Sequence, residues 1–462
     1  MKNGAVLLLS VLIVAGVATT EEPAPVDLIV AEALERSQAY EILAHLSDDI
    51  GPRLAGSEGA EAAVKWTAAT LESWGLVVRL EPVRFEKWVR GEERGSLVSH
   101  LNQKIVLTAL GRSVATPAEG ITAEVIEAST LDDIDRIGDA ARGKIVLYNQ
   151  AMDMDLIHAR RSFEAYGKAV SARGAGASRA AKYGAVAALV RSVASASLRS
   201  PHTGAMRYDD EFPTIPAAAV STEDADLIHR LLAKGQSVRM HLVLTPEFPG
   251  EFESANVVAD WKGSELPDEI VLIGGHLDSW DLGTGAIDNG SGVAGVMETV
   301  RILSSLGLRP KRTIRVVLFM NEEYGLSGGR AYHDVHEGEL TSHFATIESD
   351  AGATLPLGFD STLSDERLGM LAKELEPLMS LGAGSIRFGS ERGVGADTGL
   401  LSRAGVPGFG LRPDSRYYFD YHHSAADTLD KIDPEELARN AAAIAVMTWI
   451  LADMDGRLVE GR

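Results

Sequence analysis

The feature that most constrains this chain is the stretch VLIGGHLDSWDLGTGAIDNGSGV at residues 271–293. An apolar run typical of a buried strand ends in His276 and Asp278, a glycine-rich turn follows, and Asp288 stands where the next helix begins. Open α/β sheets build their sites at the carboxyl ends of such strands. The stretch therefore predicts an α/β fold in which a histidine and two acids meet at one edge of the sheet.

Two later apolar runs end in the same way. Residues 313–319 precede the adjacent acids Glu322 and Glu323, and residues 344–347 precede Asp350. Strands that alternate with helices predict an α/β sheet, and these acids then fall at equivalent ends of its strands. Each acid taken alone is more often a helix cap or a solvated turn. The recurrence at equivalent strand ends is what predicts a shared site.

A pair of adjacent metal ions fits this set of side chains. The sequence contains no cysteine, which leaves imidazole nitrogen and carboxylate oxygen as donors, and zinc accepts both. Two ions about 3.5–4 Å apart need a bridging carboxylate, and Asp288 at a rigid helix start is placed to bridge them. His276 and Asp350 are candidates for one ion. Glu323 and a histidine of the pair at 422–423 are candidates for the other.

Two acids at these strand ends remain outside the candidate ligand set. Adjacent glutamates at a strand end point in different directions, so Glu322 stays free to act as a general base for hydrolysis. Asp278, two residues after His276, is placed to orient that imidazole. Nucleophilic catalysis is disfavoured because Ser279 and Ser327 lack the G-x-S-x-G setting. These residues together predict metal-assisted hydrolysis.

The overall charge and the first residues bear on partners and location. The 44 basic and 66 acidic residues give a net charge of −22, which argues against nucleic acid as a partner because phosphate binding needs a basic face. Lys2 precedes an apolar run at 5–18, and a membrane span needs about 20 such residues. We expect a signal peptide at 1–20 and a periplasmic or secreted protein without stable membrane association after cleavage. A retained anchor is the alternative.

The length of 462 residues predicts at least two domains. Residues 27–110 begin a first domain, in which Ser57 is a candidate cap for a helix over 58–74. Short β runs alternating with Ala- and Gly-rich helical pieces predict a separate α/β module inserted over 111–250. Residues 251–458 then complete the first domain and carry the candidate ligands.

Several motifs resemble a known family. HLDSWDLGTGAIDNGSG, NEEYG, ESDAG and HHSAADT are similar to the metal-binding segments of the dizinc exopeptidases, which include bacterial aminopeptidases and glutamate carboxypeptidases. GKIVLYNQ and IPAAAVSTEDA, within the insertion, are similar to the protease-associated domain found in that family. The resemblance covers nearly the whole chain after the predicted signal peptide. It implies a mixed sheet with helices on both faces and an inserted protease-associated α/β domain.

The resemblance also implies roles for the candidate residues. It implies a cis peptide bond between Asp288 and Asn289, and Glu322 as the general acid and base. The family's histidine ligand directly precedes Ser or Thr, which selects His423 over His422. A homodimer that cleaves small unblocked peptides, chiefly dipeptides, is implied as well. The implied ligands of two zinc ions are His276 and Asp350 for one, Glu323 and His423 for the other, and Asp288 as the bridge.

Three questions of function stay open at this point. An aminopeptidase needs acids for the substrate amine, whereas a carboxypeptidase needs an arginine for the carboxylate. The candidates for that arginine are Arg392, Arg403, Arg412 and Arg416. A non-catalytic binding ectodomain on the same scaffold, as in transferrin receptors, is a second alternative, although such proteins lack the ligand set. A glutaminyl cyclase-like acyltransferase is the third, although such relatives lack the inserted module.

Overall fold

The structure, a computed structural model, describes residues 23–390 and 393–458. The predicted signal peptide lies outside this part of the chain. Within the described residues, no helix is both long and apolar enough to cross a membrane. The described residues form two eight-stranded sheets.

The strands of both sheets alternate with helices along most of the chain, as the sequence predicts. The strands are β1 (Val77–Val89), β2 (Glu93–Leu97), β3 (Gln103–Ile105), β4 (Leu107–Ala109), β5 (Ile121–Ala128), β6 (Ile145–Tyr148), β7 (Ala187–Arg191), β8 (Ala217–Val220), β9 (Arg239–Leu244), β10 (Glu247–Trp261), β11 (Leu266–His276), β12 (Arg312–Phe319), β13 (His343–Glu348), β14 (Pro356–Ser361), β15 (Ile386–Phe388) and β16 (Gly408–Pro413).

Two of the helices begin at caps that are visible in the sequence. The Ser57 side chain accepts the Ala60 N–H, and the Asp433 carboxylate, directly before Pro434, accepts the N–H groups of Glu435 and Glu436. The α-helices are α1 (Pro25–Glu35), α2 (Ala39–Ala44), α3 (Glu58–Ser73), α4 (Leu131–Ile137), α5 (Met154–His158), α6 (Ser162–Ala169), α7 (Ser171–Ala181), α8 (Thr222–Ala233), α9 (Ser291–Leu306), α10 (Glu322–Gly325), α11 (Ser327–His336), α12 (Asp365–Leu371), α13 (Gly399–Arg403), α14 (Tyr418–Tyr421) and α15 (Pro434–Asp453).

The first sheet is mixed and covered on both faces. Its strand order is β1-β10-β12-β11-β13-β16-β14-β15, and β12, β11, β13 and β16 run parallel at its centre. Side chains of a strand alternate between faces. Val271 and Ile273 pack in the large core with α9 and α15, and Leu272 between them packs with Tyr332 of α11 in a separate core. The predicted fold class is confirmed.

The register of the central strands brings their carboxyl ends together. His276 at the end of β11 lies opposite Phe319 of β12, and Gly274 lies opposite Glu348 of β13. The segments that leave β11, β12 and β13 therefore start side by side. This edge of the first sheet holds the candidate site.

The second sheet contains the strands between β1 and β10, in the order β3-β2-β9-β5-β6-β7-β8-β4. Its strands extend in sequence from Glu93 to Leu244. The predicted domain boundary at residue 111 therefore lies within this sheet. The reason is pairing: β2 and β3 pair with each other, β2 pairs with β9, and β4 pairs with β8. Strands this short carry little periodicity in the sequence. Whether this sheet is a protease-associated domain stays a prediction.

Candidate metal centre

The five predicted ligands converge at the carboxyl edge of the first sheet. His276 ends β11, and Asp288 lies in the turn that leads into α9. Glu323 lies in the first turn of α10 after β12, and Asp350 follows β13 by two residues. His423 comes from the segment after α14. Positions spread over the second half of the chain thus meet in one place.

Asp288 lies between two groups of donor atoms. Its Oδ1 is 3.2 Å from His276 Nε2, which is also 3.4 Å from Asp350 Oδ1. Its Oδ2 is 3.1 Å from His423 Nε2, which is also 3.1 Å from Glu323 Oε2. Each group therefore offers one imidazole nitrogen, one carboxylate oxygen and one oxygen of Asp288. This donor set fits a pair of ions with a shared carboxylate.

The imidazole of His276 is oriented by a backbone group. Its Nδ1 lies 3.0 Å from the carbonyl oxygen of Asp278, whereas the Asp278 carboxylate is 3.9 Å away. That carboxylate instead accepts the backbone N–H groups of Glu322 at 3.0 Å and Glu323 at 3.4 Å. Asp278 thus contacts the imidazole through its backbone carbonyl, while its carboxylate binds two backbone N–H groups. Asp278 fixes the turn that carries the two glutamates.

Asp288 is held by a residue that the sequence did not single out as a site residue. The Asp427 carboxylate accepts the N–H of Ile287 at 2.6 Å and the N–H of Asp288 at 3.1 Å. The peptide bond from Asp288 to Asn289 is cis, as the family resemblance implied. Asp427 belongs to the motif HHSAADT, so a signal for it was present. Its contact with Asp288, more than a hundred residues earlier in the chain, could not be predicted from the sequence.

Both histidines at 422–423 lie near Asp288. His422 Nε2 is 3.4 Å from Asp288 Oδ2, and its ring stacks on that of His423 with centroids 3.5 Å apart. Only His423 also contacts Glu323. Burial holds the pKa of His422 well below its usual value. Burial also disfavours the charged form of His423, yet the carboxylates of Glu323 and Asp288 raise its pKa to about 10.

The acids of the site repel one another in a buried setting. Burial raises the pKa of Glu323 to about 7, with the charge of Asp288 adding to the rise. Burial likewise raises the pKa of Glu322 well above its usual value, and the charges of Asp350 and Glu323 add to this. For Asp288, burial is outweighed by hydrogen bonds from the two histidines, which hold its pKa well below the usual range. A cluster of this kind favours bound cations.

A cavity of about 290 Å³ opens onto the site. Arg173 lines it from α7, which packs on the second sheet, and is only 9% exposed. Its guanidinium contacts the Tyr166 hydroxyl and, at 3.5 Å, the Thr203 carbonyl. Its Nε has no hydrogen-bond partner in the described part of the chain. Sequence reasoning missed Arg173, because a single arginine in an Ala- and Gly-rich helix carries no signal.

The structure describes three of the four arginines proposed from the sequence. Arg392 is outside the described residues, and Arg403 is exposed. Arg412 contacts Asp360 in a neighbouring cavity of about 670 Å³. Arg416 pairs with Asp414. None of the three described arginines lines the smaller cavity over the candidate ligands.

Comparison with known proteins identifies the class. Residues 256–448, which include every candidate ligand, match peptidase family M28. The chain belongs to this family and is a metallopeptidase. It is 39% identical to carboxypeptidase Q of Mus musculus, over 92% of this chain and 87% of that protein. The predicted family and enzyme class are confirmed.

Solved structures share the fold. A peptidase M28 precursor from Shewanella amazonensis superposes with a TM-score of 0.89 at 41% identity, covering 94% of this chain and 97% of that one. A zinc aminopeptidase from Bacillus subtilis superposes with a TM-score of 0.64 at 23% identity, covering 88% of this chain and 93% of that one. The second match shows a common fold alone.

Proposed function

We propose that this metallopeptidase is a dizinc exopeptidase that hydrolyses dipeptides or short unblocked peptides. The observation that carries the proposal is Asp288, whose two carboxylate oxygens each face a separate group of one imidazole and one further carboxylate. The similarity to carboxypeptidase Q supports the exopeptidase activity. The Bacillus subtilis enzyme is a zinc aminopeptidase. Zinc is also a metal that the imidazole and carboxylate donors of this chain can bind.

In this proposal the chain holds each ion by residues already in contact. His276 and Asp350 would hold one ion, Glu323 and His423 would hold the other, and Asp288 would be the carboxylate shared by both. When bound, zinc supplies Lewis acidity that activates water and polarises the scissile carbonyl. The Asp278 and Asp427 carboxylates keep the glutamate turn and Asp288 in place. Such outer hydrogen bonds set the geometry of ligands.

Glu322 is the proposed general base. Glu322 lines the cavity, and its backbone N–H donates to the Asp278 carboxylate. Burial raises the pKa of its carboxyl group, which strengthens the carboxylate as a proton acceptor. Glu322 takes the proton of the attacking water and passes it to the leaving amine. Glu323, the next residue, points to His423 and serves as a ligand.

We propose that Arg173 binds the substrate carboxylate. A buried guanidinium is costly unless an anion or several acceptors satisfy it. Here one N–H lacks a partner, and the group lines the cavity that also contains the candidate ligands. Arginine binds carboxylates in a planar, bidentate manner. We therefore place the C-terminal carboxylate of a short peptide at Arg173, which favours carboxypeptidase or dipeptidase action.

The test is hydrolysis of a dipeptide and of its N-acetylated and C-amidated forms by the purified protein. Each substrate is assayed after chelation, with and without added zinc. The proposal predicts zinc-dependent cleavage of the free dipeptide and a large loss on amidation. Cleavage lost on acetylation but retained on amidation would instead indicate an aminopeptidase. Zinc binding without cleavage of any peptide would contradict the proposed peptidase function of the site.

Export and dimer formation belong to the proposal as well. Export follows from the N-terminal pattern of Lys2 and the apolar run at 5–18. The homodimer follows from the family resemblance. Mass spectrometry of the exported protein locates the new N-terminus. Light scattering of the purified protein gives its mass relative to the 49.2 kDa chain.

A further inference from the structure

A connection of the second sheet contacts the candidate ligand His423. Thr203, in the connection between β7 and β8 of the second sheet, donates its N–H to the His423 carbonyl at 2.9 Å. The Thr203 carbonyl in turn lies 3.3 Å from His423 Nδ1. One residue of the second sheet therefore contacts both the backbone and the ring of a candidate ligand of the first.

The backbone of His423 needs this support. Its φ angle is +60°, in the left-handed region that residues other than glycine seldom adopt. Residues in such conformations persist where surrounding structure determines them. The ring contact matters as well: an Nδ1–H that donates to a carbonyl leaves Nε2 unprotonated for a metal. His423 Nε2 is the atom that faces Asp288 and Glu323.

The Thr203 segment is itself fixed within the second sheet. The Thr203 hydroxyl donates to the Ala109 carbonyl at 2.8 Å, at the end of β4. Gly111 donates its N–H to Gly204 at 3.0 Å and accepts the Met206 N–H at 3.1 Å. These bonds make residues 202–206 a rigid extension of the second sheet. The position of His423 is thus tied to the position of that sheet.

A second contact joins the same two segments. Ser195 donates its N–H to the Phe419 carbonyl at 3.1 Å and its hydroxyl to Asp420 Oδ1 at 2.5 Å. Phe419 and Asp420 lie in α14, directly ahead of the histidine pair. Ser195 and Thr203 therefore hold both ends of the segment 419–423.

We propose that the second sheet is a positioning element of the metal site. Its connection 195–203 docks on segment 419–423, and this docking gives His423 its backbone conformation and its tautomer. The ion held by Glu323 and His423 binds tightly only while the connection is docked, whereas the ion held by His276 and Asp350 does not depend on it. The proposal rests on the proposed dizinc site.

The test compares variants of this connection with a control outside it. Ser195→Ala removes the hydroxyl bond to Asp420, and Ser195→Thr keeps a hydroxyl in place. Ser237→Ala is the control, since the Ser237 hydroxyl donates to Glu124 at 3.3 Å outside the connection 195–203. Zinc affinity at each of the two sites is measured by competition with a chromophoric chelator. Thermal unfolding is followed in parallel.

Loss of one hydrogen bond predicts about a fivefold weaker affinity. Ser195→Ala is expected to show it at one site only, with Ser195→Thr, Ser237→Ala and the wild type alike. Thr203→Val, which removes the hydroxyl bond to Ala109, is expected to weaken the same site. Equal affinities in Ser195→Ala, Thr203→Val and the wild type would overturn the inference, as would an equal loss in Ser237→Ala. A wild-type protein that binds no zinc would overturn the dizinc site itself.

Discussion

The Asp278 carboxylate accepts the backbone N–H of Glu322 at 3.0 Å, so an acid at the end of β11 fixes the proposed base after β12. The same carboxylate accepts the N–H of Glu323. Hydrogen bonds thus join the turns that follow the neighbouring strands β11 and β12. These bonds hold the proposed ligand Glu323 and the proposed base Glu322 at fixed positions relative to each other, which is what a hydrolytic site requires.

Replacing the proposed base separates metal binding from turnover. Glu322→Gln keeps the shape of the side chain and removes its ability to accept a proton. We expect both zinc ions to be retained while kcat falls about 10²- to 10⁴-fold, the usual contribution of general acid–base catalysis. Steady-state kinetics with metal analysis checks this. Glu337→Gln on the exposed surface is the control, and full activity in Glu322→Gln would remove Glu322 from the mechanism.

Asp427 is expected to control zinc affinity without touching zinc. Its carboxylate accepts the N–H groups of Ile287 and Asp288. Asp427→Asn replaces one acceptor by a donor and is expected to weaken zinc binding about 10- to 100-fold. A chelator competition assay measures the change. Asp430→Asn is the matched control, because Asp430 is exposed and bonds only its neighbours Thr428 and Lys431. Equal affinities in the two variants would contradict this role.

Arg173 is expected to set recognition of the substrate carboxylate. Arg173→Met is predicted to raise KM for a free dipeptide by about 10- to 100-fold, the value of a charge-assisted bond of about 1.5–3 kcal/mol. The C-amidated peptide should respond little, since it lacks the carboxylate. Arg179→Met on the same helix is the control, because Arg179 pairs with Asp135 at the surface. Equal effects on both substrates would show that Arg173 acts on structure alone.

Zinc uptake is expected to release protons. Without metal, His423 has a pKa raised to about 10 by Glu323 and Asp288 against the effect of burial, so it is protonated at neutral pH. A ligand imidazole must be neutral, so zinc displaces this proton and its affinity falls as the pH is lowered. Calorimetric titration in two buffers of different ionisation enthalpy measures the release. Identical heats in both buffers would contradict the protonated state.

The sequence predicts the fold, and it locates the candidate ligands that the structure brings together, for a local reason. His276, Glu323 and Asp350 each follow an apolar strand within a few residues, and parallel strands bring their ends together. Short-range patterns therefore locate these residues. The cap at Ser57 is likewise visible in its own segment.

The contacts that complete the site are long-range and could not be read in this way. Thr203 meets His423 across 220 residues of sequence. Arg53 is fully buried and donates to the carbonyls of Leu277, Thr284 and Gly285, more than two hundred residues later. Backbone carbonyls leave no mark on the sequence. Arg173 lines the cavity from α7, which packs on the second sheet, whereas the candidate ligands belong to the first sheet and its connections.

The most direct test of the proposed dizinc site is the zinc content of the purified protein. After chelation and reloading with excess zinc, followed by removal of unbound metal, we expect two zinc ions per chain. Asp288→Ala, which removes the carboxylate between the two donor groups, is expected to retain fewer than two and to lose activity. One zinc or none in the wild type, or two in Asp288→Ala, would contradict a pair of ions bridged by Asp288.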